Sequence, residues 1–198
     1  KNNTKIINEN KPDIIRRDSQ SRHYEAYSGH KGSWNSPLNT VEENAFYTVH
    51  SGKSTFNYKT DSLGRVEMAE GNLSLRATGA NGKSQNSYYR NRNQQSCAGN
   101  CYRAKDDHGG HLIASMFDGP GEGINIVAMN GKLNGYGGAW YNMEMKLKDI
   151  PENGGSVHVK IEPIYSKGSK RPDGFQITET INGKAGKPYT IQNTPAGK

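Results

Sequence analysis

Residues 108–147 read HGGHLIASMFDGPGEGINIVAMNGKLNGYGGAWYNMEMKL, and the spacing of the polar groups in this stretch decides the fold. His111 follows Gly109 and Gly110 and stands just beyond Asp106 and Asp107. Two glycines let a backbone pass close to a bulky neighbour, and adjacent carboxylates can fix an imidazole tautomer. Among the six histidines of the chain, this one has the neighbours that suit proton transfer. Asn134 precedes a glycine-rich bend, after which Trp140, Met143 and Leu147 recur at i, i+3 and i+7. That period predicts a helix over residues 139–149, stopped by Pro151 and the polar, glycine-rich run after it. Glu144 falls one turn after Trp140, at the edge of the apolar face. A carboxamide oxygen and one carboxylate, with water in the remaining positions, make a sparse oxygen site of the kind Mg²⁺ accepts.

Upstream, Phe46–Val49 reads as a strand. Thr55–Lys59 alternates, Asp61–Gly64 supplies a turn and Arg65–Met68 alternates again, which predicts a hairpin. Residues 79–100, GANGKSQNSYYRNRNQQSCAGN, form a long loop. Tyr88, Tyr89, Arg90 and Arg92 interleave rings with guanidinium groups there, which suits stacking on bases and contact with phosphates; a surface loop with incidental tyrosines has the same composition. Downstream, Val157, Val159 and Ile161 alternate with His158, Lys160 and Glu162, and Phe175, Ile177 and Ile181 line one face of a further strand. Strands, a loop, one helix and more strands predict an α+β fold on an antiparallel sheet. Residues 1–40 are polar and irregular and are expected to form an N-terminal arm or linker ahead of a domain over residues 41–198.

The chain has 198 residues, with 26 Lys plus Arg against 19 Asp plus Glu, for a formal charge of +7. That balance suits a polyanionic partner, although a solvated basic surface has the same signature. Hydrophobic residues make up only 31%, but they cluster and alternate enough to build one core. No apolar run approaches the ~18 residues of a membrane-spanning helix. The first residue is Lys1 and no signal-peptide pattern follows it, as expected of a processed chain or of a domain from a longer one. Cys97 and Cys101, with His108 and His111, offer four zinc-type ligands, yet a zinc finger would place a longer linker and a helix between the pairs. Free thiols or one small-loop disulfide is the simpler reading.

The central stretch resembles the DNA/RNA non-specific endonucleases of the ββα-metal (His-Me finger) superfamily. The variant concerned carries D-x-G-G-H-L-I, then L-N, then G-A-W-x-x-M-E, matched here by Asp107–Ile113, Leu133–Asn134 and Gly138–Glu144. Tyr58–Arg65 and the segments Pro163–Tyr165 and Arg171–Pro172 are also similar to that variant, so the likeness spans roughly residues 45–183. The resemblance implies a metal-dependent, sugar-non-specific endonuclease that uses Mg²⁺ or Mn²⁺ and leaves 5′-phosphate ends on DNA, with RNA as a further substrate. By it, His111 is the general base, Asn134 the protein ligand of the metal, and Glu144 a second metal-site residue that holds metal-bound water. Such domains occur as C-terminal toxin domains of bacterial secreted effectors, type VII-secreted antibacterial toxins included. This implies secretion, action in a target-cell cytoplasm and, given the +7 charge, an acidic immunity protein as partner. The runner-up is a catalytically inactive nucleic-acid-binding module on the same scaffold.

Two departures from the family pattern stand out. Better-known members have Asp-Arg-Gly-His where this chain has His108 and Gly109 before Gly110. The charge-stabilising arginine is therefore displaced, and Arg103 is taken for that role, with Arg65, Arg90, Lys105 and Arg171 as alternatives. Tyr89, Arg90, Arg92 and Lys105 are assigned to nucleic-acid binding. Five residues separate Asn134 from Trp140 where the common pattern has three, which either bulges out or shifts Asn134. Asn125 is expected to brace its loop rather than to touch substrate.

Overall fold

The computed structural model describes residues 15–16 and 22–198. In chain order its elements are β1 (Ile15–Arg16), β2 (Arg22–Tyr27), β3 (Ala45–Ser51), β4 (Ser54–Thr60), β5 (Val66–Leu73), α1 (Arg92–Cys97), β6 (Asp107–His111), β7 (Ile126–Asn130), α2 (Gly131–Asn134), α3 (Ala139–Glu152), β8 (Val157–Tyr165), β9 (Pro172–Ile181), β10 (Lys184–Ala185) and β11 (Tyr189–Gln192). One large sheet runs β1-β2-β3-β4-β5-β8-β9-β10, with β11 also on β9, and β6 and β7 form a separate hairpin. All pairings are antiparallel except β2 with β3. The α+β architecture expected from the sequence is the one observed.

Period-two patterning builds the sheet. Ala45, Tyr47 and Val49 on β3, Phe56 and Tyr58 on β4, and Val157, Val159 and Ile161 on β8 all point into one core. The β4–β5 turn is fixed by Asp61, whose Oδ1 accepts from the backbone N–H of Leu63 at 2.9 Å and of Arg65 at 3.0 Å. Gly64 there adopts φ +69°, a left-handed conformation that glycine takes without steric cost. Helix α3 lays Trp140, Met143 and Leu147 on this core, and the Trp140 ring sits 4.7 Å from that of Phe175. Burial of such side chains is worth about 2 kcal/mol each, which anchors the helix against the sheet.

Three sequence expectations need correction. The helix runs through Pro151 to Glu152. Proline is tolerated in this last turn because only one carbonyl loses its donor, and Asn153 closes the end with its N–H on the carbonyls of Asp149 and Ile150. The loop 79–100 contains α1, whose N-cap Asn91 accepts from the N–H of Gln94 at 3.2 Å. Residues 22–40 are not an arm. β2 pairs with β3 in parallel, and Tyr24, Ala26 and Leu38 join the core. Buried Glu122 then ties the following loop down, accepting from Ser28 Oγ at 2.6 Å, Gly29 N at 2.6 Å and Asn35 N at 3.0 Å. Apart from residues 15 and 16, the expected linker before residue 22 lies outside the described residues. Among the described residues no helix is long and apolar enough to cross a membrane.

The β6–β7 hairpin, with α2 and α3 following directly, forms a ββα unit. It pairs Asp107 with Asn130 and His111 with Ile126. The two glycines before His111 do what their position suggests. A Cβ on Gly109 would lie 2.3 Å from Gln95 Cα, and one on Gly110 would lie 2.8 Å from Met129. Gly109 thereby lets α1 close over the strand, and Gly110 leaves room for Met129 on β7.

Candidate active site

A cavity of about 600 Å³ opens beside β6, α1 and α3. His111 reaches it from the end of β6, Asn134 from the last residue of α2 and Glu144 from the second turn of α3. Arg90, Arg92, Gln95 and Arg103 line it from the segment before β6. Three residues separated in the sequence by a turn, a strand and a bend are thus brought to one concave surface.

His111 is buried, and its Nε2 has no hydrogen-bond partner. Burial, followed by the positive charges of Arg90, Arg92 and Arg76, lowers the imidazole to about 4. The ring is therefore neutral near pH 7 and free to accept a proton. Glu144 is half-buried on the cavity wall. Burial raises its carboxyl to about 8, against a smaller opposing effect of the hydrogen bond from Trp140 and the charge of Arg90. Its Oε1 accepts from Trp140 Nε1 at 3.1 Å, which sets the carboxyl's orientation. Two titratable groups on one cavity are pushed in opposite directions, the pattern of an acid–base or ion-binding site.

The longer segment after Asn134 bulges outward. Gly138 lies so close to α2 that a Cβ there would meet the Lys132 carbonyl at 2.1 Å, and Tyr136 at the tip is 92% exposed. The glycines absorb the extra length, and Asn134 and Glu144 still share the cavity. Asn125 is a brace, as expected. It is fully buried, with Oδ1 accepting from Tyr58 OH and the Ile113 N–H and Nδ2 donating to the carbonyls of Ile113 and Pro120.

The arginines separate clearly. Arg103 lines the cavity, but its Nη1 donates to the carbonyls of Gln95 at 2.8 Å and Ser96 at 2.9 Å, and its Nη2 to that of Asp107 at 2.7 Å. It clips α1 to β6, so the guanidinium expected to stabilise charge on substrate is already engaged. Arg171 forks onto the Asp107 carboxylate at 2.7 and 2.9 Å, and Arg65 holds Asp61 at 2.7 Å. Arg90 and Arg92 are exposed, line the cavity and make no side-chain hydrogen bond or ion pair among the described residues. Tyr89 does not line the cavity. Its ring lies under the Arg76 guanidinium at 3.7 Å, which covers one face of it. Lys105 sits exposed in the turn before β6 and is likewise off the wall.

Sequence reasoning missed Gln95 and Arg76. Gln95 bonds the Gly109 carbonyl through Nε2 at 3.0 Å, and its buried Oε1 has no partner; it lies on a helix that was expected to be loop. Arg76 is buried, paired with Asp118 at 3.2 Å, and its charge acts on His111. No local pattern joins residues 76, 111 and 118. The zinc alternative finds no support, since Cys97 and Cys101 are exposed free thiols. Among the described residues no group of three or more His, Cys, Asp or Glu is arranged to hold a metal.

Comparison with known proteins places the chain in a family. The family model for DNA/RNA non-specific endonucleases matches residues 43–183. The chain is 36% identical over 149 residues to the type VII secretion system protein EssD of Staphylococcus aureus strains USA300 and NCTC 8325. That alignment covers 73% of this chain and 22% of the relative, so the chain spans about a fifth of the length of these proteins. The crystal structure of NucA from Streptococcus agalactiae, with no metal bound, superposes with a TM-score of 0.50 at 16% identity, covering 74% of this chain and 77% of that one. At that identity the likeness shows the fold.

Proposed function

The chain belongs to the DNA/RNA non-specific endonuclease family, and from that premise we propose that the 600 Å³ cavity cuts the phosphodiester backbone of DNA, with His111 as general base. The observation that carries the proposal is a neutral, unpartnered imidazole sharing one concave wall with Asn134, Glu144 and two unengaged arginines. Members of this family are metal-dependent, and the residues present fit a hard divalent cation. Asn134 and Glu144 offer oxygen donors, and the Asn134 side chain and Glu144 Oε2 have no hydrogen-bond partner among the described residues. A half-buried carboxyl raised to about 8 is one that a counter-charge would ionise. Two protein donors suit Mg²⁺ or Mn²⁺, which keep several waters. Bound there, the ion would supply Lewis-acid stabilisation of the phosphate and leaving-oxygen charge.

The chain's own groups supply the rest. His111 takes a proton from a water molecule as the water oxygen bonds to phosphorus. The bond from phosphorus to the 3′-oxygen breaks, that oxygen takes a proton from solvent, and the phosphate stays on the 5′ side of the second fragment. His111 then returns its proton to solvent. A positioned base contributes ~10²–10⁴-fold. Arg90 and Arg92 donate to the non-bridging oxygens as charge accumulates there. Trp140 keeps the Glu144 carboxyl aimed. The family is non-specific, so backbone contacts dominate and binding weakens with salt.

On this reading the chain is the nuclease module of a larger secreted bacterial toxin that acts in the cytoplasm of a target cell and is held harmless at home by an acidic immunity protein. The kinship with a much longer secretion-system protein and the +7 charge support it. The test is incubation of plasmid DNA and of RNA with the chain in Mg²⁺, in Mn²⁺ and in chelator. Cutting that needs a divalent cation and disappears in His111→Ala is expected. Cutting by His111→Ala at the wild-type rate would reject the base, and inactivity of both proteins with retained DNA binding would favour a module that only binds.

A further inference from the structure

We propose that a groove next to the cutting cavity, walled by Trp34 and Tyr88, is a subsite for an unpaired nucleobase of the strand being cut. The proposal rests on the nuclease reading above and adds a preference for single-stranded over duplex substrate. The groove measures about 460 Å³ and is lined by Lys31, Trp34, Tyr88, Arg90, Arg92 and their neighbours. Arg90 and Arg92 line both this groove and the cavity that holds His111. A strand whose phosphate lies at His111 therefore passes the two arginines into the groove.

The groove has the chemistry of a single-strand site, with aromatic rings and cations and no acidic lining residue. It is also built in advance. The Lys31 N–H donates to the Tyr88 carbonyl at 3.0 Å, and the His30 ring stacks on Tyr88 at 4.8 Å and 18°. The Trp34 indole rests on bare backbone, since a Cβ on Gly121 would meet it at 2.6 Å. Tyr88 remains 41% exposed. Lys31 and Trp34 precede residue 43, where the family match begins, so this side of the groove lies outside the matched stretch, and Tyr88 lies inside it. Duplex DNA keeps its bases stacked on one another, and only an unpaired base can turn into such a groove.

Fluorescence provides a test that does not depend on cutting. The chain has two tryptophans, and Trp140 is fully buried, so quenching by a stacked base reports on Trp34. The His111→Ala chain in chelator is titrated with oligothymidylate of about eight nucleotides, within the usual site size of single-strand grooves, and with a blunt duplex of equal length. Binding is also followed by anisotropy of a terminal dye. The single strand is expected to quench saturably, and the quench to vanish in Trp34→Phe. Tyr88→Ala should weaken single-strand binding roughly tenfold, the order of one base stack, while duplex binding and melting temperature hold. Strand binding without a quench, equal weakening of strand and duplex by Tyr88→Ala, or no strand binding at all would each overturn the groove. The wild-type chain separates the two readings. If it cuts neither substrate in Mg²⁺ or Mn²⁺, the nuclease assignment fails; if it cuts and Tyr88→Ala keeps the wild-type KM on single strands, the groove alone fails.

Discussion

Asp107 and His111 occupy opposite ends of a five-residue strand, on the same face by parity, and the fold treats them in opposite ways. The Asp107 carboxylate is fully enclosed and saturated. It takes both prongs of Arg171 at 2.7 and 2.9 Å and the Ala104 N–H at 2.9 Å. His111 is almost as buried, yet its Nε2 is given no partner. Buried polar groups are normally satisfied, so an orphaned one calls for an explanation. The saturated residue serves the architecture, joining β6 to the start of β9. The unsaturated one is kept available for a proton that arrives only with substrate.

The contrast predicts that the two residues fail differently. The largest effect is His111→Ala on cutting, a fall of ~10²–10⁴-fold in kcat with no fall in melting temperature, because no native hydrogen bond is lost. A plasmid-nicking time course beside a thermal melt checks both halves, and a variant that unfolds would erase the distinction.

Asp107→Ala should do the reverse. It leaves Arg171 without its counter-charge, and breaking a largely buried pair in this way costs about 3 kcal/mol. For a domain of this size that lowers the melting temperature by roughly 6–12 °C. The folded fraction should still cut at a rate near wild type when assayed well below the transition. Loss of cutting without loss of stability would place Asp107 in the chemistry instead.

The two groups also separate by pH. His111 is lowered from its ordinary value to about 4, so between the unfolded value near 6.5 and 4 the unfolded state binds the extra proton. Stability from this group is complete above pH 6.5 and is lost as pH falls towards 4, a slope worth on the order of 2–3 kcal/mol. The Asp107 carboxyl is also lowered, by the hydrogen bonds from Arg171 and Ala104 and the charges of Arg171 and Arg103 acting against burial. Its contribution is present above the unfolded carboxylate value near 3.9 and disappears only at more acid pH. Glu144, raised to about 8, acts with the opposite sign across the same interval in every variant, so the readout is a difference: from pH 7 to 4.5 the urea midpoint of wild type should fall relative to that of His111→Ala, with Asp107→Asn retaining the wild-type slope.

How much of this was legible follows from the range of each signal. Alternation along β3, β4, β8 and β9 and the helical period of Trp140, Met143 and Leu147 are local, and they fixed the sheet and the helix. The stretch 107–144 carried its own spacing, so His111, Asn134 and Glu144 could be singled out before any coordinates. β2 was missed because RHYEAY is mostly polar and joins the sheet through backbone pairing to β3, which composition does not record. α1 was hidden in a run of Asn, Gln and Ser whose capping depends on one side chain, Asn91. Partners far apart in the sequence were out of reach. Asp107 and Arg171 are 64 residues apart, and nothing near Arg103 says that three carbonyls will claim its guanidinium.

The arginines extend the comparison at its smallest predicted effect. Arg103 resembles Asp107, with its donors committed to carbonyls; Arg90 and Arg92 resemble His111, exposed to the cavity and uncommitted. Arg90→Ala should lower kcat/KM about tenfold, near 1.4 kcal/mol, and reduce the salt slope of DNA binding by about one, with stability unchanged. Arg90→Lys should restore most of the salt slope, because a point charge still meets the phosphate, and less of the rate, because the bidentate fork is gone. Arg103→Lys should leave the salt slope alone and lower the melting temperature instead, since a lysine cannot hold three carbonyls in one plane. Measuring slope and melting temperature for all three variants under one buffer series tests whether commitment to internal partners divides structural from functional side chains around this cavity. An Arg103→Lys chain that melts like wild type but loses its salt dependence would reverse the assignment and return Arg103 to the phosphate.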